Sequence, residues 1–178
     1  DPDGAQHEPI VANHPQVQKE VIIEINPGYM EVLRRYPCVR PLLTNPKVEF
    51  VVDDGRRWMF RNRGRKFDVI VMDTIYHWRS HATSLLSDDF LDLARDLLKP
   101  GGILYYNTTF SWEAQRTGAL HFPYAYRFGP FLAVSDSPIQ ASRERWRQTL
   151  ENSFHRHGEG NVSRRDGFQQ SEVRCSHR

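Results

Sequence analysis

The sequence predicts an α/β domain built on a mainly parallel sheet, and three observations carry that prediction. Short apolar runs rich in β-branched residues alternate with amphipathic segments, the pattern of strand, helix, strand repeated. Three successive runs end on or beside a carboxylate, at Glu24, Asp54 and Asp73. The last two runs, Phe122-Pro-Tyr-Ala-Tyr-Arg and Phe131-Leu-Ala-Val-Ser, are separated only by Phe128-Gly-Pro. So short a connection favours an antiparallel hairpin. With 178 residues the chain is long enough for one domain with a real core.

Residues 1–17 are polar, carry Pro2, Pro9 and Pro15, and read as a loose leader. A first strand follows over about 20–25. Asn26 then Pro27 signals a helix start, a capping side chain before a residue tolerated at the first helical position. That helix buries Met30 and Leu33 and stops at Pro37. Val48 to Val52 forms a second strand, read as lying inside the sheet. After Asp53-Asp54-Gly55 comes an arginine-rich helix from Arg56 to about Arg61. Phe67 to Met72 reads as a strand buried on both faces, ending at Asp73.

A loop through His77 and His81 leads to the clearest helix. Ser87 caps it, and Asp88 and Asp89 suit the positive end of its dipole. Phe90, Leu91, Ala94, Leu97 and Leu98 share one face. Lys99-Pro-Gly-Gly is expected to end this helix, with a strand beginning at Ile103. After the hairpin, Ser142 to Leu150 fits a last helix anchored by Trp146. Beyond Asn152 the chain is polar, charged and almost without apolar residues, so residues 153–178 are expected to be disordered. The globular domain is therefore placed at 18–152.

Composition narrows the function classes. A net charge of +2 does not argue for a nucleic-acid partner. Cys38 and Cys175 lie far apart and imply neither a disulfide framework nor zinc spacing. His77 and His81 are four apart but have no third ligand at metal spacing, so no metal is expected. No apolar run approaches the ~20 residues of a membrane span, and the chain is read as soluble and cytoplasmic. Asn107-Thr-Thr and Asn161-Val-Ser match a glycosylation acceptor pattern that is common by chance.

The three acids carry the chemistry. In a parallel sheet, ligands collect at the carboxyl ends of the strands, and neighbouring strands lie ~5 Å apart. Glu24, Asp54 and Asp73 would then face one edge. An acid there can accept from ribose hydroxyls, and one on the next strand from an adenine amino group. Each acid taken singly also fits a solvated turn or cap.

At these positions the sequence resembles a known family. Val21-Ile-Ile-Glu-Ile-Asn, Val51-Val-Asp-Asp-Gly-Arg-Arg, Phe67-Asp-Val-Ile-Val-Met-Asp and Leu98-Lys-Pro-Gly-Gly-Ile-Leu resemble, in order and spacing, the spermidine synthases (polyamine aminopropyltransferases). The likeness covers about residues 18–138. His77-Trp-Arg-Ser-His-Ala-Thr-Ser-Leu-Leu-Ser is similar to bacterial spermidine synthase-like domains often fused behind membrane segments. The resemblance implies a Rossmann-like class I methyltransferase fold, a parallel sheet finished by an antiparallel hairpin. It also implies an S-adenosyl co-substrate, decarboxylated S-adenosylmethionine or S-adenosylmethionine, with no metal. Glu24 would bind the ribose hydroxyls, Asp54 with Gly55 would contact the adenine, and Asp73 would accept the proton of the attacking amine. Tyr76, His77 and Trp78 would line the substrate mouth. A polyamine is the implied substrate; a homodimer, and membrane segments in a longer protein, are compatible with the resemblance.

Two departures accompany it. Upstream of Val21 there is only Asp3-Gly4 and a proline-containing leader, where the family has a strand with a glycine-rich loop, so the fold is expected to be N-terminally incomplete. Tyr76 stands where the family places a second carboxylate, and a phenol is neutral at pH 7. The alternatives are a methyltransferase on the same scaffold and a catalytically dead domain that binds a ligand or partner.

Overall fold

The structure, a computed structural model, describes residues 11–36, 39–73, 82–140 and 142–148. The elements are β1 (Glu20–Glu24), α1 (Gly28–Arg35), β2 (Val48–Val52), α2 (Gly55–Arg61), β3 (Phe67–Met72), α3 (Asp88–Leu97), β4 (Leu98–Asn107), α4 (Trp112–His121), β5 (Tyr124–Phe128) and β6 (Phe131–Ser135). Short 3-10 turns occupy Arg40–Thr44 and Ala82–Leu86. Compactness divides the chain into Asp1–Ile139 and Gln140–Arg178. In the second unit, residues 143–148 are helical, Ser142 Oγ accepts from the Arg145 N–H, and Glu144 pairs with Arg147 at 2.7 Å. Trp146, expected as an anchor, is 48% exposed.

Strand pairing is parallel where the sequence predicts it. β1 runs parallel to β2, with Glu20 opposite Val48 and Glu24 opposite Val52. β3 runs parallel to β4, β6 is antiparallel to β4, and the β5–β6 hairpin closes over Gly129-Pro130. The architecture differs from the expectation in one respect. The strands form two sheets, β1–β2 and β3–β4–β6–β5, rather than one. Among the described residues β2 pairs only with β1, so it is not an interior strand. Nor is β3 buried on both faces: Val69 is 53% and Val71 63% exposed, because the helices cover only the face carrying Ile70 and Met72.

The core explains how two sheets make one unit. Trp58 and Met59 of α2 join Phe90, Leu91, Leu93, Ala94 and Leu97 of α3 in one cluster with Leu104, Tyr106 and Val134. Val21, Ile23 and Val51 pack against it from the first sheet, Ile70 and Met72 from the second. α1 covers the first sheet through Leu33, with Val39, Tyr29, Met30 and Phe50 around it. Within the stretch read as a loose leader, residues 11–13 are helical and one side chain is packed. Ala12 is buried with Ile22 and Leu42, and Lys47 Nζ donates to the His14 carbonyl at 3.3 Å.

Local chemistry accounts for the boundaries. The helix starts one residue later than expected, with Pro27 rather than Asn26 at the N-cap and no side-chain cap; Asn26 Oδ1 instead accepts from the Gly28 N–H at 2.9 Å in the turn that leads into it. Tyr36, preceding Pro37, is extended at φ −98° and ψ 109°, as a pre-proline residue should be; Pro37 itself lies outside the described residues. Ser87 Oγ accepts from Phe90 N. Lys99-Pro-Gly-Gly behaves differently from the expectation, since β4 begins at Leu98 directly after α3. A Cβ on Gly102 would lie 2.9 Å from the Lys99 carbonyl and 3.1 Å from that of Phe67. That close backbone approach coincides with a register shift between Phe67 and Val69, a bulge rather than a loop. The sequence reading has no counterpart for α4, whose start is capped by Ser111 Oγ accepting from Ala114 N at 3.2 Å. Its apolar residues do not form a clean stripe; it packs through Ala114 and Gly118.

Arg65 ties the first sheet to the approach of β3. Its guanidinium donates to both oxygens of Glu49 at 3.1 and 3.2 Å and lies over Trp58 and Phe67. Lys19 also pairs with Glu49, at 2.6 Å.

Two predictions follow from this packing. A Cβ on Gly118 would fall 2.0 Å from Tyr106 Oη and 2.7 Å from Leu132 Cδ2. Gly118→Ala should therefore destabilise by about 1–3 kcal/mol in urea titration, the usual cost of overpacking. Arg65 and Lys19 hold the Glu49 carboxyl down to about 2. A depressed carboxyl contributes stability that is complete above its unfolded value, near 4.5, and lost as pH falls towards 2. The melting temperature of Glu49→Gln should accordingly fall less between pH 5 and pH 2 than that of the wild type.

Candidate active site

Each predicted acid sits where a parallel strand ends, but the three have different local duties. Glu24 closes β1, is half-buried, and its Oε1 accepts from the Asn26 N–H at 2.7 Å. Asp54 follows β2 as the N-cap of α2, with Oδ1 accepting from Arg57 N at 2.8 Å. The cap uses one oxygen and leaves the carboxylate partly exposed. Gly55 opens the helix, and a Cβ there would meet nothing within 4 Å, so the backbone beside Asp54 faces open space.

Asp53 is an ion-pair residue instead. Its carboxylate accepts from Asp54 N at 2.8 Å, from the Arg57 side chain, and lies 3.8 Å from Arg61. The hydrogen bond from Arg57 holds its carboxyl below the usual range.

Asp73 follows β3 and is exposed. Met72 stands opposite Tyr106 in the parallel ladder, which brings Asp73 beside Asn107 at the end of β4. Asn107 Nδ2 donates to Asp73 Oδ1 at 2.8 Å. By alternation Asp73 and Asn107 continue the face that carries Val69, Val71 and Tyr105, opposite the helices. Tyr105 stacks on Phe131, with ring centroids 5.0 Å apart. Burial pushes its phenol above the usual range, and the Asp73 charge pushes it further.

The structure thus places Glu24 and Asp54 at the carboxyl edge of one sheet and Asp73 at the carboxyl end of a strand in the other. Tyr76, His77 and Trp78 lie outside the described residues. A groove of about 540 Å³ runs between α2 and α3. Asp54, Arg56, Phe60 and Asp92 help to line it, but Glu24 and Asp73 do not. Two of its arginines are paired with aspartates, Arg56 with Asp89 and Arg57 with Asp53, and Arg63 lies over the Phe60 ring. Among the described residues no group of three or more His, Cys, Asp or Glu could hold a metal, and no helix is long and apolar enough to cross a membrane. Asn107 is the site neighbour that sequence reasoning missed. Its signal, a polar residue at a strand exit, was the same one that singled out the acids.

This is the class I methyltransferase type of α/β fold, with acids at its strand ends. Spermidine synthase in complex with the transition-state analogue AdoDATO has a TM-score of 0.62 at 20% identity, over 76% of this chain and 52% of that one. Human methyltransferase-like protein 13 in complex with SAH has a TM-score of 0.53 at 14% identity, over 96% of both chains. The sequence profile of the spermine/spermidine synthase domain matches residues 3–117, and the chain belongs to that family. The polyamine aminopropyltransferase of Pyrobaculum arsenaticum is 28% identical over 141 residues, 76% of this chain and 46% of its own length. That of Aeropyrum pernix is 24% identical over 137 residues, 71% of this chain and 44% of its own. The chain spans about half the length of these relatives.

The cap at Asp54 can be tested apart from the charge of its carboxylate. Asp54→Ala should cost about 1 kcal/mol of stability by denaturant titration. Asp54→Asn, which keeps the accepting oxygen, should cost much less, so any loss of ligand affinity in that variant reports on the charge.

Proposed function

We propose that this domain transfers an aminopropyl group from decarboxylated S-adenosylmethionine to a polyamine, with residues 18–152 as the S-adenosyl-binding region. Family membership supports the reaction class. The single observation that carries the site is Asp73, an exposed carboxylate closing a parallel strand and held by a neutral amide.

In the reaction, the lone pair of an amine nitrogen attacks the methylene carbon bonded to the sulfonium. The new N–C bond forms as that C–S bond breaks, and its electrons neutralise the sulfur, releasing methylthioadenosine. The nitrogen leaves the step with one proton too many. Asp73 accepts it, and a positioned general base of this kind is worth about 10²–10⁴-fold. Because the sulfonium already leaves readily, alignment supplies much of the remainder. Glu24 would take the ribose hydroxyls and Asp54, with Gly55, the adenine. Tyr76, His77 and Trp78 would border the amine. The negative rim also favours a cationic amine over a substrate carrying a carboxylate.

That last point supplies the test. Decarboxylated S-adenosylmethionine should raise the melting temperature more than S-adenosylmethionine does; at 100 times Kd the stabilisation is about 2.7 kcal/mol. A methyltransferase would reverse the preference, and a chain used only for partner contacts would respond to neither. Asp73→Asn should abolish transfer while sparing nucleoside binding, and Glu24→Ala should weaken binding. Full turnover by Asp73→Asn would remove the residue from this role.

A further inference from the structure

The exit of β4 is built as a rigid clamp, and it touches Asp73 through the side chain of Asn107. The chain leaves β4 through two consecutive non-glycine residues in the left-handed region, Thr109 at φ 52° and Phe110 at φ 63°. Such a conformation persists only where its surroundings over-determine it. Here they do. Thr108 is fully buried, and both its N–H and its hydroxyl donate to the Pro130 carbonyl, the N–H at 2.7 Å. Gln115 of α4, also buried, donates to Thr108 Oγ1 at 3.1 Å and to the Gly129 carbonyl at 3.4 Å. Ser111 N donates back to the Thr108 carbonyl at 2.9 Å.

This turn aims the Thr109 N–H at Asn107 Oδ1, 2.8 Å away. The bond settles the orientation of the amide. Its oxygen must face the turn, because a backbone N–H needs an acceptor. Its NH₂ must then face Asp73, where it donates to Oδ1 at 2.8 Å. A flipped amide would set an oxygen against the carboxylate and an NH₂ against an N–H, losing both bonds.

We infer that Asn107 is a positioning residue for the general base: the β4-exit turn locks its amide, and the amide holds Asp73 Oδ1 so that Oδ2 is presented to the attacking amine. The inference rests on the role of Asp73 proposed above. A neutral donor suits this task. An arginine or lysine there would compensate the carboxylate charge and disfavour proton uptake, as Arg57 does at Asp53. An amide fixes the geometry and leaves the charge uncancelled. The clamp also joins three elements to one carboxylate: α4 through Gln115, the β5–β6 turn through Gly129 and Pro130, and β4 itself.

Two substitutions separate positioning from scaffolding. Asn107→Asp keeps an oxygen for the Thr109 N–H and the volume of the side chain but removes the donor to Asp73. Asn107→Leu removes both bonds. With decarboxylated S-adenosylmethionine and putrescine, both variants of the full chain should lose kcat by about 10- to 100-fold, the range expected from a misplaced reacting group. KM for the nucleoside substrate should stay within about twofold. Lost kcat beside an unchanged KM for the nucleoside is a split that a purely structural role would not give. Wild-type kcat in Asn107→Asp overturns the inference. A wild-type chain without turnover would defeat the transfer reading instead. The coupling would then be decided by the side-chain amide resonances of Asn107, which Asp73→Ala displaces if the bond exists and leaves in place if it does not.

Discussion

One apolar layer decides whether this domain has a site at all. Among the described residues the two sheets share no strand pairing, so the acids of β1 and β2 and the acid of β3 depend on side chains for their common frame. Trp58 and Met59 on α2, with Phe90, Leu91, Ala94 and Leu97 on α3, contact strands of both sheets. Leu91 and Ala94 are fully buried, and truncating a leucine so placed typically costs ~2–5 kcal/mol, a large part of a domain's total stability. The clamp of Arg65 on Glu49 adds a polar tie at the same junction. That pair is partly solvated and contributes less than the layer it crosses.

The acids at the strand ends divide by partner. Asp53 is matched to a guanidinium group, which stabilises its charged form and makes it a poor proton acceptor. Glu24 and Asp54 spend one oxygen each on a local backbone N–H, ordinary behaviour for acids after strands. That duty does not compete with ligand binding, because the second oxygen of each carboxylate keeps its lone pairs. Asp73 is tied to a neutral amide. Sequence position treats all of these acids alike; their partners distinguish them.

Most of the ladder was legible because its signals are local. Ser87 before two aspartates, Asn26 before Pro27, and runs such as Val48–Val52 each carry their own physics. The failures arose where a distant element decides the outcome. The Phe67–Met72 run looks buried on both faces, but burial depends on what covers it, and one face carrying Val69 and Val71 is open. Lys99-Pro-Gly-Gly looks like a terminator, yet the Phe67 carbonyl beside Gly102 makes it a bulged strand. α4 escaped because it packs through Ala114 and Gly118 rather than an apolar stripe. Within the site, the acids were visible, while Asn107 acquires meaning only when β4 lies next to β3.

The central claim is that strand ends of both sheets serve one nucleoside, and amide chemical-shift mapping with methylthioadenosine tests it most directly. The account predicts perturbations at Glu24, at Asp54 and Gly55, and at Asp73 with Asn107, saturating together with a single affinity. Shifts confined to one sheet, or clustered along the groove between α2 and α3 without Glu24 and Asp73, would contradict it.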